Sequence, residues 1–398
     1  MISNKYILLK FLLVLDIIQL VACNGLQLIQ PINNIKNKYD TSPTPETTAL
    51  SIGEIYLIQS TQATPFRYRL TSLPSQCLLM DIACPKPKIV SQFPASEFIP
   101  ASLNWSPDGS LALFTNNYDS QVLMLDPIKL RVERVSIESS VMSDQIVWSP
   151  DSQWAALEIQ ISDPYASDIL LVNPKKGVVK NLSIDLEGMK QPLGWLDQDN
   201  LLILQKKYDN AYGSSKQKLD IVEENIYVVN IHDLQSKILI PDLVLLGGML
   251  PMLSPDRRLI ALSTIRKERI FLDLYTVNGR KIHTYNNYMQ PVWSEESRRL
   301  AVTYGTEENG YSILLLNTEG NEEQQLVTLK SLPYYVWSPD DLHLFIITRW
   351  DEGENEFTSL QIMSTFGNTH IIPNLNGIVE EGYNLIGLSF RPAPSSDN

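Results

Sequence analysis

Four acidic residues crowd into one stretch, Asp351-Glu352-Gly353-Glu354-Asn355-Glu356. Hard cations prefer carboxylate oxygens, so Asp351, Glu352, Glu354 and Glu356 could hold calcium weakly. Their spacing misses the EF-hand loop, and a solvated hairpin tip is the simpler reading. An acidic face could instead dock a basic partner, because complementary charge raises on-rate and specificity. From residue 289 onward the chain carries 16 Asp/Glu against 5 Lys/Arg, so the acidic bias is concentrated at the C-terminal end.

Other chemistry has less support. His232, His283, His343 and His370 are scattered, with no pair at metal-ligand spacing. There is no Gly-x-Ser-x-Gly elbow and no phosphate-binding Gly-rich loop. The sequence therefore nominates no catalytic residue, no metal ligand and no cofactor. The net charge is −13; Lys5, Lys10 and Asp16 give residues 1–22 a net of +1, which leaves −14 for the rest. A chain this acidic has no electrostatic footprint for a nucleic-acid backbone.

Three cysteines remain: Cys23, Cys77 and Cys84. Lys5 and Lys10 precede an apolar run opening at Phe11-Leu12-Leu13-Val14-Leu15, interrupted by Asp16. The run is short for a membrane span and reads as an export signal. It closes with Leu20-Val21-Ala22-Cys23, which resembles the lipobox of bacterial lipoproteins. That resemblance implies that Cys23 becomes the acylated first residue; an ordinary secretory signal with an incidental cysteine is the alternative. Residues 24–50 have the composition of a solvated linker. Setting Cys23 aside leaves Cys77 and Cys84, an even count in an oxidising compartment. In one continuous strand they would lie over roughly 20 Å apart, so a bond requires the segment to fold back.

What positions these residues is a repeated phrase. Trp105-Ser106-Pro107-Asp108-Gly109 returns as Trp148-Ser149-Pro150-Asp151, Leu253-Ser254-Pro255-Asp256 and Trp337-Ser338-Pro339-Asp340. Trp195-Leu196-Asp197 and Trp293-Ser294-Glu295 are degenerate copies. A recurrence at about 40–45 residues is the signature of a repeat array such as a β-propeller. Apolar runs flank each phrase, as in Ala112-Leu113-Phe114 and Ala155-Ala156-Leu157, which gives a hairpin around a tight turn. Pro and Asp suit the corner, and Gly accepts the positive φ where the strand resumes. Only Gly109 keeps that glycine; Ser152, Arg257, Ser297 and Asp341 replace it, which predicts turns that differ in detail. Each Trp offers a large apolar plate to the next blade and an N–H that needs a partner. Ala156, Ala261 and Ala301 suit the narrow part of a wedge. The third repeat has an extra polar loop, Lys206 to Asp220. Fourth strands, such as those beginning at Arg131, Val178 and Lys281, are polar, as a water-exposed edge requires. The last segment, Leu385 to Pro392, reads as an inner strand that completes the first blade.

These phrases resemble the TolB-like β-propeller repeats, relatives of the WD-repeat family, over about residues 51–393. The resemblance implies a fold and no particular activity. Residues 24–50 cannot supply the α/β domain of TolB itself, and nothing is left over for the hydrolase domain of prolyl oligopeptidase-type propellers.

The sequence thus predicts an all-β chain with a signal peptide over 1–22, an acylated Cys23 and linker over 23–50, a propeller over 51–393 and a tail over 394–398. Seven four-stranded blades fit the spacing, with six or eight as the neighbouring counts. The expected role is a monomeric, non-enzymatic binding or scaffolding module for an unidentified protein, held outside the cytoplasm by a lipid anchor, in the periplasm or on the outer cell surface. The alternative is a propeller enzyme, a hydrolase or lyase, or a glycan-binding protein, with its site at the channel mouth. Carboxylates or histidines converging with shifted pKa values would favour the enzyme.

Overall fold

A computed structural model describes residues 53–392 apart from 62–66, 80–83, 94–102, 117–119, 164, 209–220, 248, 307, 319–322, 353–354, 366–368, 373–377 and 380–382; for 323, 349–352, 355–358 and 369–372 it describes the backbone alone. The apolar runs on either side of each Ser-Pro-Asp phrase pair as neighbouring antiparallel strands. Trp105 lies opposite Ala112, Trp148 opposite Ala155 and Trp337 opposite Leu344. Two more strands complete each sheet, giving seven four-stranded sheets in chain order.

The first blade is composite. Its inner strand is the C-terminal Tyr383–Phe390, followed outward by Glu54–Thr61, Tyr68–Pro74 and Lys88–Phe93. Tyr56 pairs with Ser389 and Leu57 with Leu388, so the chain end closes the ring. Blades 2 to 7 occupy 104–134, 141–181, 189–240, 252–286, 288–329 and 334–372. Buried clusters sit between successive blades: Ala156 and Ile169 of blade 3 pack with Trp195 and Ile203 of blade 4. A repeat unit of this kind cannot bury both of its faces alone.

The tryptophans reach backward by one blade. Trp148 donates its indole N–H to Asn104 O at 2.8 Å, Trp195 to Val147 O at 3.1 Å, Trp293 to Met252 O and Trp337 to Val292 O, both at 3.0 Å. Every acceptor is the residue just before the repeat position in the preceding blade. At three of these acceptors the residue paired across the sheet is alanine: Ala156 faces Val147, Ala261 faces Met252 and Ala301 faces Val292. Each alanine shares a buried cluster with the incoming indole. A larger side chain there would overpack the seam. Where Leu253 replaces Trp, the match is steric: a Cβ on Gly194 would lie 2.8 Å from Leu253 Cδ2. At the closure, Trp105 donates to Ser389 Oγ at 3.1 Å, and that hydroxyl donates to Leu103 O.

Cys77 and Cys84 are joined, with Cα atoms 4.9 Å apart. The fold-back comes from a helical turn, Gln76–Leu79. The linked segment packs on Phe345 and Ile362 of blade 7 and on Leu385 and Leu388 of the closing strand. It therefore braces the seam where the ring shuts, worth on the order of 2–3 kcal/mol in the chain-entropy model.

Two expectations need correction. The turns do not differ where glycine is lost: φ is 62° at Gly109, 58° at Ser152, 60° at Arg257, 61° at Ser297 and 56° at Asp341. Their side chains explain the substitution. Ser152 Oγ accepts the Asp108 N–H of blade 2, and Ser297 Oγ accepts the Asp256 N–H of blade 5. The Asp341 carboxylate accepts the Glu295 and Glu296 N–H groups at 2.6 and 2.8 Å. Left-handed backbone costs a non-glycine residue about 1–2 kcal/mol, and these clamps between blades offset it. The outer strands are also less uniformly polar than expected, since Val178, Val179 and Ile238 are exposed on them.

These clamps predict opposite outcomes for the same type of substitution. Arg257→Gly relieves the backbone cost, removes no hydrogen-bonded clamp and loses only a charge attraction to Asp197 of blade 4, and is expected to be neutral or stabilising within about 1 kcal/mol. Asp341→Gly loses two charge-assisted bonds and is expected to cost about 2 kcal/mol or more. Denaturant titration of both variants, read as midpoint shifts, checks the contrast.

Candidate functional site

Strand alternation gives the ring two faces. Turns from inner to second strands, including every Ser-Pro-Asp phrase, and turns from third to outer strands share one face. Hairpins from second to third strands and the crossovers between blades share the other. The nominated motif residues lie on the first face and are occupied in holding it together. Ser106, Ser149 and Ser254 each donate to the aspartate two places on, at 2.6 Å, and Ser338 donates likewise to Asp340. Asp108, Asp151, Asp256 and Asp340 in turn accept backbone N–H groups of their own turns. Pro107, Pro255 and Pro339 are exposed turn corners, and Pro150 is half-buried.

Asp108 is tied most tightly. Partial burial works to raise its pKa, and bonds from Lys175, Ser106 and Ser110 outweigh that, so its carboxyl sits well below the usual range. Lys175 reaches it from the blade 3 turn at 2.8 Å.

Ser338, Asp340 and His343 have the residue types of a hydrolytic triad without its geometry. The Ser338 hydroxyl accepts the His343 backbone N–H and donates to Asp340, while the imidazole Nδ1 lies 3.7 Å from Asp340. The other histidines stay apart. His232 meets Asp199 at 2.9 Å, and His283 stacks on Tyr285. His370 lies on an outer strand. Among the described residues, no three His, Cys, Asp or Glu side chains are grouped to hold a metal ion.

Titratable groups do converge at the seam of blades 3 and 4, which the sequence did not signal. Lys190, on the inner strand of blade 4, is 4% exposed and donates to Ser167 O at 2.7 Å. Burial lowers its pKa, against the pull of Asp168, Asp185 and Glu158. Burial raises the Glu224 carboxyl, opposed by the Leu245 N–H and Lys206. Tyr208 is raised by burial and by Glu224 and Glu158. Asp168 accepts the Ile169 and Ile184 N–H groups, and Glu224 accepts that of Leu245, so these carboxylates fasten crossovers. Among these groups, the bonds across the seam itself are those between Lys190 and Ser167, which brace it.

The acidic stretch falls on a blade 7 hairpin of the second face. Asp351 is in register with Glu356, and Glu352 with Asn355; Glu354 lies outside the described residues, as does Cys23. Like charges directly opposite one another are destabilising, which a solvated tip tolerates.

The two faces differ in what they expose. Among the described residues, the second face presents Ile161 and Tyr165 on blade 3, Ile221, Val222 and Val244 on blade 4, and Tyr304, Leu332 and Tyr334 on blades 6 and 7. The turn face presents Ile128 and Leu342, with Ile89, Val178 and Val179 exposed where outer strands leave it. Single exposed apolar residues are ordinary, but their gathering on one face marks an interaction surface.

Seven four-stranded sheets, the first closed by the C-terminal strand, settle the fold. It is a seven-bladed β-propeller. An oligogalacturonate lyase in complex with manganese superposes with a TM-score of 0.54 at 13% identity, covering 84% of this chain and 89% of that one. TolB from Acinetobacter baumannii matches at 14% identity over 80% of this chain, TM-score 0.43, and a putative TolB from Agrobacterium tumefaciens at 17% over 80%, TM-score 0.44. The chain spans 63% of the length of the first TolB and 99% of the second. No family model matches the sequence. No curated protein matches it either. At these identities the likeness extends to fold alone.

The Asp108 network predicts a pH dependence. A carboxyl with its folded pKa below its unfolded value contributes stability that is present above the unfolded pKa and lost as pH falls through the folded pKa. Asp108→Asn is therefore expected to lower the melting temperature at pH 7 and to narrow the gap to wild type in strong acid. Melting curves across the acid range check this.

Proposed function

We propose that the chain is a non-enzymatic extracytoplasmic binding module. It engages a protein through the hairpin-and-crossover face and is held at the membrane by an acylated Cys23 and the linker of residues 24–50. The observation that carries this reading is the contrast between faces. The repeat residues on the turn face are occupied in bonds within and between turns. Among the described residues the opposite face carries eight of the exposed large apolar side chains against five on the turn face. Exposed apolar area set among polar loops is the composition of a docking surface. Among the described residues no helix is long and apolar enough to cross a membrane, and two acyl chains give durable attachment where one does not.

Cell fractionation of wild type and Cys23→Ser checks the anchor. Wild type is expected in the membrane fraction and the variant in the soluble extracytoplasmic fraction; a variant that stays with membranes overturns the lipid anchor. Crosslinking in intact cells is expected to give a discrete adduct with the wild type. The purified chain, offered oligogalacturonate with and without manganese, is expected to yield no unsaturated product, and turnover would overturn the non-enzymatic reading.

A further inference from the structure

We infer that the rim of the turn face across blades 1 to 3 rests on an anionic lipid surface. The inference rests on the anchored reading above and names the face that meets the membrane, which leaves the opposite face free for a partner. In three successive blades an exposed apolar side chain stands beside a lysine where the third strand gives way to the outer one. Blade 1 has Lys88 and Ile89, blade 2 has Ile128 and Lys129, and blade 3 has Lys176 with Val178 and Val179. Ile128 is 80% exposed and Ile89 is 52% exposed. The three sites adjoin one another. Val90 of blade 1 belongs to a buried cluster on which Leu130 of blade 2 packs. Lys175 of blade 3 reaches Asp108 of blade 2 at 2.8 Å. Apolar side chains set among lysines are the composition that seats a protein in the headgroup layer.

Local charge favours an anionic surface. Asp126 is paired with Lys129, Glu133 with Arg131 and Asp108 with Lys175. That leaves the exposed Lys86, Lys88 and Lys176 against Asp151 among the described residues of the rim. The acidic excess of the chain lies mostly in blades 6 and 7. Exposed charges more than about 8 Å away are screened at physiological salt, so the rim answers to its own lysines. The turns of blade 4 carry Asp197, Asp199 and Asp233, which confines the contact to blades 1 to 3.

The anchor enters at the same corner. A Cβ on Gly53 would lie 2.8 Å from Arg391 O, and Arg391 Nε donates to Gly109 O of the blade 2 turn at 2.8 Å. Thirty residues separate Cys23 from Gly53. A segment of linker composition and that length reaches about 30 Å on average. An acylated Cys23 therefore keeps this face near the bilayer and raises the effective concentration of lipid at the rim.

The test uses the full chain, purified from cells and reconstituted with phosphatidylcholine vesicles, with or without phosphatidylglycerol. An environment-sensitive dye is attached at Ile128→Cys or, on the opposite face, at Tyr304→Cys; Cys77 and Cys84 are bonded to each other and do not compete. Flotation checks that the chain stays with the vesicles, and melting curves check that each variant folds. The dye at 128 is expected to shift to shorter wavelength only with phosphatidylglycerol, and the dye at 304 is expected not to shift. Each lysine near an anionic surface is worth about fivefold in attraction. Lys86→Gln with Lys88→Gln and Lys176→Gln is therefore expected to lose the shift, and raised salt to reduce it. A dye at 128 that ignores phosphatidylglycerol, or that keeps its shift in the lysine variant, overturns the inference and leaves the anchor in place. A shift at 304 in place of 128 does the same. A stronger response at 128 to soluble polyglutamate than to vesicles assigns the rim to an acidic polypeptide and also overturns the inference. A chain that floats with neither kind of vesicle removes the anchored reading as well.

Discussion

The hydrogen bond from Trp148, Trp195, Trp293 and Trp337 to a carbonyl one blade back is the contact on which the ring depends. A propeller blade has two apolar faces and is stable only when both are covered. The indole supplies apolar area, and its N–H satisfies a partly buried carbonyl of the preceding blade. Each such bond is worth on the order of 1 kcal/mol net, but leaving either group unpaired would cost more. The alanines opposite three of the acceptors belong to the same device, leaving room for the indole at those seams, whereas Asn104, the acceptor of Trp148, faces Leu113. The leucine at 253 and the glycine at 194 satisfy the same constraint by shape alone.

A ring held by backward-reaching contacts must also close, and the closure is the place where the pattern changes. The strand Tyr383–Phe390 joins blade 1 from the far end of the chain, and Ser389 relays the Trp105 indole to Leu103 O. The Cys77–Cys84 segment packs on the same seam. Arg69, buried in blade 1, lies 3.8 Å from the Tyr383 ring centroid and donates to Gln59. Closure entropy grows slowly with the length of chain enclosed, but this loop encloses the whole propeller, so several independent contacts converge there.

The division of labour between faces follows from the same economy of contacts. Turns on one face are short and bonded to their neighbours, with clamps from Ser152, Ser297 and Asp341. Hairpins on the other face vary in length, from two residues at Lys267-Glu268 to twelve after Tyr208, and the crossovers vary as well. The exposed tyrosines and the acidic connections gather there. The buried Lys190 cluster is on that side too, where it fastens crossovers rather than meeting solvent.

The sequence by itself determined the repeat, the closing strand and the place of the Ser-Pro-Asp turns, because strand period and turn chemistry are local properties that a linear chain displays; among six, seven or eight blades, the structure decided for seven. It also showed that Cys77 and Cys84 could meet only if the chain folded back. It did not show that Ser152, Ser297 and Asp341 stand at glycine positions in order to hold the turn of the preceding blade, although serine recurring there was a signal. It gave no sign of the Lys190 seam, whose members come from positions 158, 168, 190, 208 and 224 and meet only across two blades. Tyr304, Leu332 and Tyr334 look like ordinary strand residues in a linear reading. Only the tertiary structure decided that they share a face with the acidic connections, because exposure is a property of what the neighbouring blade leaves uncovered.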